Sequence, residues 1–364
     1  MNHHSPSAGS GHSAKMTSLA LQDLLGIDLP IVQAPMAGAQ TSALAVAVSN
    51  AGGLGSLPCA LLDLDTMRDE LAAIRARTTR PYNVNFFCHT PPTPDPAREA
   101  AWRARLAPYY RELGLDPNET PAGPTRSPFT DEVADLVEAF RPPVVSFHFG
   151  LPSPELLARV RAWGSRILAS ATTVDEARWL DARGVDAIIA QGVEAGGHRG
   201  NFLTADLTTQ LGTFALVPQV VAAVRVPVIA AGGIADARSV SAALRLGAAG
   251  VLVGTTYLLC PEATISPVYR AALRGPVAGH TALTNLISGH PARGIMNRLM
   301  RELGPMSDLA PEFPLAAPAV TPLRAAAEAR GLGDYSAMWA GQNTSGCKEI
   351  PAAELTRELA ADLE

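Results

Sequence analysis

The chemistry-bearing residues of this chain sit beside glycines. His198 lies in Gln191-Gly-Val-Glu-Ala-Gly-Gly-His-Arg-Gly200, where glycines bare the backbone on both sides of an imidazole. Histidine is the side chain most readily tuned to act as a general base near neutral pH. The same position also suits an ordinary loop histidine, but its glycine setting and strand-end place favour function. Gln191 offers a carbonyl and an amide that could hold the edge of a heterocycle. Glu194 in this stretch faces the loop interior or solvent and is given no role. Two further motifs, Ala230-Ala-Gly-Gly-Ile234 and Gly254-Thr-Thr256, bring bare N–H groups and a hydroxyl to successive turns. Alone, each glycine motif makes a tight turn; together they suit a phosphate, with a helix beginning near Asp236 pointing its positive dipole end at the anion.

Other candidates carry less. Asn85 alternates with Asn83 in an apolar run, and an amide there needs a hydrogen-bonding partner. Met36, after Ala34 and Pro35, suits the face of a flat ring, though core packing is the commoner use of a methionine. His148, in Ser146-Phe-His-Phe-Gly150, either points into a site or is a satisfied interior histidine. His89, His280 and His290 have no such support, and His3, His4 and His12 belong to a Ser/Gly/His-rich start.

Composition excludes several classes. Hydrophobic residues are 47% and charged residues 17%, which predicts a large core and excludes a disordered chain. Net charge is −5 with no basic block, so nucleic acid is not an expected partner. Lys15 and Lys348 are the only lysines, and neither lies in a strand-like run, which argues against a Schiff-base enzyme. Cys59, Cys88, Cys260 and Cys347 are scattered without a C-x-x-C, so neither a disulfide framework nor a metal site is expected. No apolar run reaches the roughly 18 residues of a membrane span, so the expected location is the cytoplasm.

The elements that must position these residues are legible. Short apolar runs bounded by Gly or Pro occur at 31–34, 53–57, 82–87, 144–149, 167–171, 187–191, 226–231 and 251–254. Helical spacing fills the intervals at 41–50, 64–77, 154–163, 174–183, 217–224 and 236–246. Asn50-Ala-Gly-Gly, Ala182-Arg-Gly-Val and Leu246-Gly-Ala each place glycine at a helix exit. Eight alternating units predict an α/β fold, a (β/α)₈ TIM barrel, with chemistry at the C-terminal strand ends. Residues 1–15 are expected to be a disordered leader or tag, 16–260 the barrel, 261–322 an inserted subdomain or lid, and 323–364 C-terminal helices on the barrel. The interval between the third and fourth strands is long and includes a helix at 97–113.

Gln33-Ala-Pro-Met-Ala, Asn83-Val-Asn-Phe-Phe, the Gln191–Gly200 stretch, Ala231-Gly-Gly-Ile, Gly254-Thr, Ser288-Gly-His-Pro-Ala-Arg-Gly294 and Trp339-Ala-Gly-Gln342 together resemble the nitronate monooxygenases, formerly called 2-nitropropane dioxygenases. The resemblance covers nearly the whole chain after Lys15, and Glu-Ala-Gly-Gly-His is its most specific element. It implies FMN bound non-covalently at the barrel mouth by Ala34, Pro35, Met36, Asn85, Gln191, Gly196, Gly233, Leu252, Val253, Gly254 and Thr255. It implies His198 as the catalytic histidine, alkyl nitronates such as propionate 3-nitronate as substrates, and molecular oxygen as oxidant. The products would be a carbonyl compound and nitrite. A loop imidazole beside Arg199 would need no large pKa shift to serve either as cation or as base. Rival readings are an NADH-dependent quinone or enoyl reductase on the same barrel, a lyase or isomerase whose substrate carries the phosphate, and a non-catalytic flavin-binding barrel.

Overall fold

The computed structural model describes residues 21–118 and 126–363; the expected leader lies outside the described residues. The strands are β1 (Ile31–Gln33), β2 (Gly55–Pro58), β3 (Tyr82–Phe87), β4 (Val144–His148), β5 (Arg166–Ala171) and β6 (Ala187–Gln191). The chain then makes the two-residue β7 (Gly197–His198), returns with β8 (Val228–Ala231) and β9 (Gly250–Val253), and adds β10 (Thr281–Thr284) and β11 (Ala292–Ile295). Eight strands form one parallel sheet in the order β1-β9-β8-β6-β5-β4-β3-β2. A parallel bridge between Val32 and Leu54 joins its two edges, so the sheet is a (β/α)₈ barrel. The expected strands all fall on this sheet. Nearly every barrel position is buried because helices cover the outside and side chains fill the inside, which is why the runs are apolar rather than alternating.

The crossovers carry α1 (Ser42–Asn50), α2 (Leu64–Arg77), α3 (Pro96–Leu113), α4 (Asp131–Phe140), α5 (Pro154–Ala162), α6 (Val174–Asp181), α7 (Thr213–Ala223) and α8 (Ala237–Arg245). Side-chain caps start most of them: Thr41, Asp63, Asp95, Thr130, Ser153, Thr173 and Asp236 each accept from a first-turn N–H. The expected glycine exits hold, with positive φ at Gly52, Gly184 and Gly247. The long third crossover contains α4 as well as the expected helix, and α4 is the one that packs on the barrel beside α2 and α5. After the barrel come α9 (Pro267–Arg274), α10 (Arg298–Leu303), α11 (Ala317–Glu328) and α12 (Ala352–Leu359). The last of these packs against α1 and α8, so the C-terminus supplies the eighth helix of the ring.

A second core lies apart from the barrel. Trp102, Leu106 and Tyr110 of α3 pack with Leu286, Leu299, Leu323 and Tyr335. Tyr110 donates to the Ala319 carbonyl at 2.7 Å, and Arg298 grips Glu112 through two N–H groups at 2.6 and 2.9 Å. The third crossover and the segment after β9 therefore form a single roof. The boundary expected at residue 322 falls inside α11, because Pro322 lies within that helix rather than ending it. The three-stranded antiparallel sheet β10-β11-β7 ties the roof to the loop after β6.

Helix α1 sits so close to β2 that a Cβ on Gly55 would stand 1.9 Å from the Ala45 carbonyl oxygen. Gly55→Ala should therefore destabilise the barrel by about 1–3 kcal/mol, the usual cost of overpacking. Urea unfolding of the two proteins measures this, and an unchanged midpoint would mean that α1 is free to withdraw.

Candidate functional site

The C-terminal strand ends and the roof enclose one cavity of about 460 Å³. One wall is built from β1, β8 and β9. Ala34, Pro35 and Met36 follow β1, and the Met36 N–H donates to Gln40 Oε1 at 3.0 Å, which fixes the turn. Gly254 lies against them, since a Cβ there would come within 3.1 Å of the Ala34 Cβ and 3.6 Å of the Met36 sulfur. Gly232 and Gly233 take φ values of 116° and 72°, which only glycine adopts without strain. Their carbonyls accept from Thr213 Oγ1 and Asn343 Nδ2, both at 3.0 Å. Among the described residues none accepts from the amide N–H of Gly233 or Thr255. Thr255 opens a short 3₁₀ turn, Thr255–Leu259, and its hydroxyl accepts from the Gly341 N–H at 3.0 Å. Bare amides at the turns after the last two barrel strands are the groups from which an anion cradle is built.

The expectation that α8 aims its dipole at this anion needs correction. Asp236 and Ser239 form a capping box at its start: Asp236 Oδ1 accepts from the Ser239 N–H in the first turn, and Ser239 Oγ accepts from the Ala235 and Asp236 N–H groups just before the helix. A carboxylate therefore stands at the positive end of the helix, and Asp236, Ala237 and Arg238 do not line the cavity. The cradle rests on loop amides instead. Val253 also stands apart: its side chain packs between barrel and helices and its carbonyl accepts from the Ala34 N–H at 2.8 Å. Its neighbour Leu252 faces the cavity, as strand alternation requires.

The opposite wall carries the histidines. The loop after β6 is tied down from within. Gln191 donates through Nε2 to the His198 carbonyl at 3.0 Å and accepts through Oε1 from the Gly200 N–H at 2.8 Å. One N–H and one lone pair of its amide remain for a ligand. Arg199 is fully buried and points away from the cavity, donating to the carbonyls of Gln191 and Gly192 at 2.7 Å each and to Gln210. Glu194 faces the loop interior, where its carboxylate accepts from the Thr213 N–H and hydroxyl at the start of α7. His198 presents its ring to the cavity, with Nε2 2.8 Å from Ser288 Oγ.

His148 resolves between its two readings by doing both. It lines the cavity while its Nε2 donates to the His198 carbonyl at 3.2 Å and its Nδ1 meets Ser170 Oγ at 3.1 Å. His290, which had no sequence support, stands behind this wall, its ring centre 6.4 Å from that of His198 and its Nε2 2.9 Å from the Arg199 carbonyl and 3.1 Å from Asn201 Oδ1. Phe87, Phe149 and Phe313 pack around these rings, and Phe149 holds a φ of 66°, a costly conformation for a bulky residue. Asn85 lines the cavity and its Nδ2 donates to Ser146, so its carbonyl oxygen is left to accept. Gly196 lines the cavity too, pressed so closely against Ala340 and Gly341 that no side chain fits.

Electrostatics separate this site from the sequence expectation. Burial holds the His198 imidazole well below its ordinary pKa, and the Arg126 cation together with the neighbouring histidines pushes it further down. His148 and His290 are each pushed down to about 4, chiefly by burial. A freely titrating loop imidazole is therefore replaced by a neutral one, because the roof removes water and the nearest fixed charge is positive. That charge is Arg126, whose guanidinium stacks on Phe313 with its carbon 5.8 Å from the ring centre. Burial and nearby Arg324 lower Arg126 to about 10, and both arginines line the cavity. Neither had a sequence signal: Arg126 follows a Pro-rich stretch and Arg324 lies on an alanine-rich helix.

A family model described as nitronate monooxygenase matches residues 18–362. A protein of Pseudomonas aeruginosa named nitronate monooxygenase is 45% identical over 342 residues, covering 93% of this chain and 97% of that one. A protein of the same name from Paraburkholderia phytofirmans is 45% identical over 352 residues, with 95% of each covered. Among solved structures, a nitroalkane oxidase from Streptomyces ansochromogenes superposes with a TM-score of 0.86 at 39% identity, covering 94% of this chain and 97% of that one.

The buried histidines make stability depend on pH. His148 and His290 titrate near 4 in the folded protein against about 6.5 ordinarily. Between those values the unfolded chain binds more protons, so stability present above about pH 6.5 is lost as pH falls toward 4. The urea midpoint should drop between pH 7 and pH 5, and His148→Gln, which keeps a donor for the His198 carbonyl, should drop less steeply. Equal slopes would show that His148 does not contribute.

Proposed function

Because the chain belongs to the nitronate monooxygenase family, we propose that it oxidises alkyl nitronates with molecular oxygen to a carbonyl compound and nitrite, using FMN held at the barrel mouth. One observation carries this reading: a neutral imidazole, His198, faces the same cavity as a cradle of unengaged backbone amides. The residues fit the cofactor. Gly233 and Thr255 have N–H groups for a terminal phosphate, and no G-x-G-x-x-G fingerprint for a dinucleotide is present. Ala34, Pro35 and Met36 supply an apolar face for a flat ring, while Asn85 and Gln191 have acceptor and donor atoms for its edge. When bound, the flavin supplies one-electron acceptance, which no side chain here offers.

The protein's own groups do the rest. The Arg126 and Arg324 cations attract an anionic nitronate into a cavity whose imidazoles are uncharged, a task the sequence had assigned to a protonated His198. Phe87, Phe149 and Phe313 exclude water around the reacting end, so those charges act in a low dielectric. With a neutral nitroalkane, His198 accepts the proton from the carbon bearing the nitro group, and its depressed pKa keeps the free base available at neutral pH. A cytoplasmic location fits the four free thiols, and among the described residues no helix is long and apolar enough to cross a membrane.

Purified protein should be yellow and release FMN, not FAD, on denaturation; colourless protein that takes up no FMN would overturn the cofactor. Mixed anaerobically, a nitronate should bleach the flavin and NADH should not, and the reverse result would favour a reductase. Gly233→Val should weaken FMN retention in a folded barrel, since a β-branched residue penalises the positive φ and crowds the cradle. Normal flavin occupancy would reduce that loop to a turn.

His198→Asn should cut turnover of neutral nitroalkanes by about 10²–10⁴-fold, the usual worth of a general base. Pre-ionised nitronates should lose far less, and the flavin spectrum should persist. Equal small losses for both substrate forms would remove His198 as the base.

A further inference from the structure

Ser288 begins the Ser288-Gly-His290 stretch ahead of β11 and is fully buried. Its hydroxyl oxygen lies 2.8 Å from His198 Nε2 and 3.4 Å from the His290 carbonyl oxygen. A carbonyl only accepts, so a hydroxyl proton directed at His290 leaves the serine oxygen to accept from the ring. That pattern places the His198 proton on Nε2. Nδ1 makes no hydrogen bond with a described residue, and it is not among the buried polar atoms sealed without a partner, although His89 Nδ1 is. Since the His198 ring lines the cavity, Nδ1 is open to it. His148 and His290 carry their protons the same way round, because each Nε2 faces a backbone carbonyl.

We propose that Ser288 is a positioning residue that holds His198 in its Nε2–H tautomer, so that Nδ1 is the atom that takes the α-proton of a neutral nitroalkane. The inference rests on the reading of His198 as the base. In the step, the carbon–hydrogen bond breaks and its electron pair stays on the substrate, which becomes the nitronate. The proton bonds to Nδ1, and the resulting imidazolium goes on donating Nε2–H to Ser288. Without Ser288 the ring samples both tautomers and turns more freely, so fewer molecules present a lone pair to the substrate.

The test uses FMN-loaded enzyme carrying ¹⁵N-labelled histidine, with the His198 resonances assigned by their loss in His198→Asn. At neutral pH the unaltered protein should show a proton-bearing Nε2 and a bare Nδ1; a proton-bearing Nδ1 overturns the proposal without any variant. Ser288→Ala should lower kcat for nitroethane about tenfold, the worth of one neutral hydrogen bond. KM and the turnover of ethyl nitronate should stay within twofold, and Ser288→Thr should restore the rate. Equal loss with both substrates in Ser288→Ala, or no loss with either, removes Ser288 from this role. Should Ser288→Ala lose its flavin or fail to fold, the tautomer of the unaltered protein and the rate of Ser288→Thr still decide. Failure of the underlying reading has its own signature, because His198→Asn then spares nitroethane turnover whatever the tautomer is.

Discussion

The carbonyl oxygen of His198 accepts from Gln191 at the end of β6 and from His148 at the end of β4, and the geometry of the site follows from that shared acceptor. The two donors come from different barrel strands, so the loop after β6 cannot shift without breaking a bond to the barrel. Arg199, one residue on, turns inward and uses its guanidinium on the Gln191 and Gly192 carbonyls, while its own carbonyl receives His290. A backbone that would otherwise be a bare glycine loop becomes one of the more firmly held segments of the mouth. The two-residue β7 then pairs with β11 and carries that rigidity into the roof.

Burial gives this arrangement its chemical character. The roof over the mouth is assembled from two distant parts of the chain, the third crossover and the segment after β9, welded by the Trp102–Tyr335 core. It removes water from four histidines and brings Arg126 toward two of them, His89 and His198. Each imidazole loses the solvation that would stabilise its charged form, and a nearby cation adds repulsion, Arg126 at His89 and His198 and Arg199 at His148 and His290. The cavity therefore keeps positive charge on its arginines and basic lone pairs on its histidines. That division suits the proposed reaction, in which the site attracts an anion and accepts a proton.

Much of this architecture could be read from residue order. Eight apolar runs separated by helical spacing imply a barrel because parallel strands buried on both faces have no polar face to show, and the glycine exits mark where each helix must turn back. The positions of Met36, Asn85, Gln191, His198, Gly233 and Thr255 around one cavity follow from the same logic, since all lie at C-terminal strand ends and a barrel gathers those ends in one place. The placement of a glycine-flanked histidine opposite bare turns was legible for this reason.

Protonation and pairing were not legible, because they depend on contacts between residues far apart in the chain. Nothing local to His198 states that Arg126 and three other histidines stand near it, so a free loop imidazole was the natural expectation and a neutral buried one is what folding makes. Asp236 reads as a helix start in sequence, but only the fold shows that its own carboxylate caps α8 and that the start of this helix does not line the cavity. Helix α4 and the true extent of α11 were obscured by prolines and short apolar spacing whose meaning depends on what they pack against. Local pattern determines which elements form and where their ends lie; the electric environment of each atom is a sum over neighbours, and only the closed fold sets that sum.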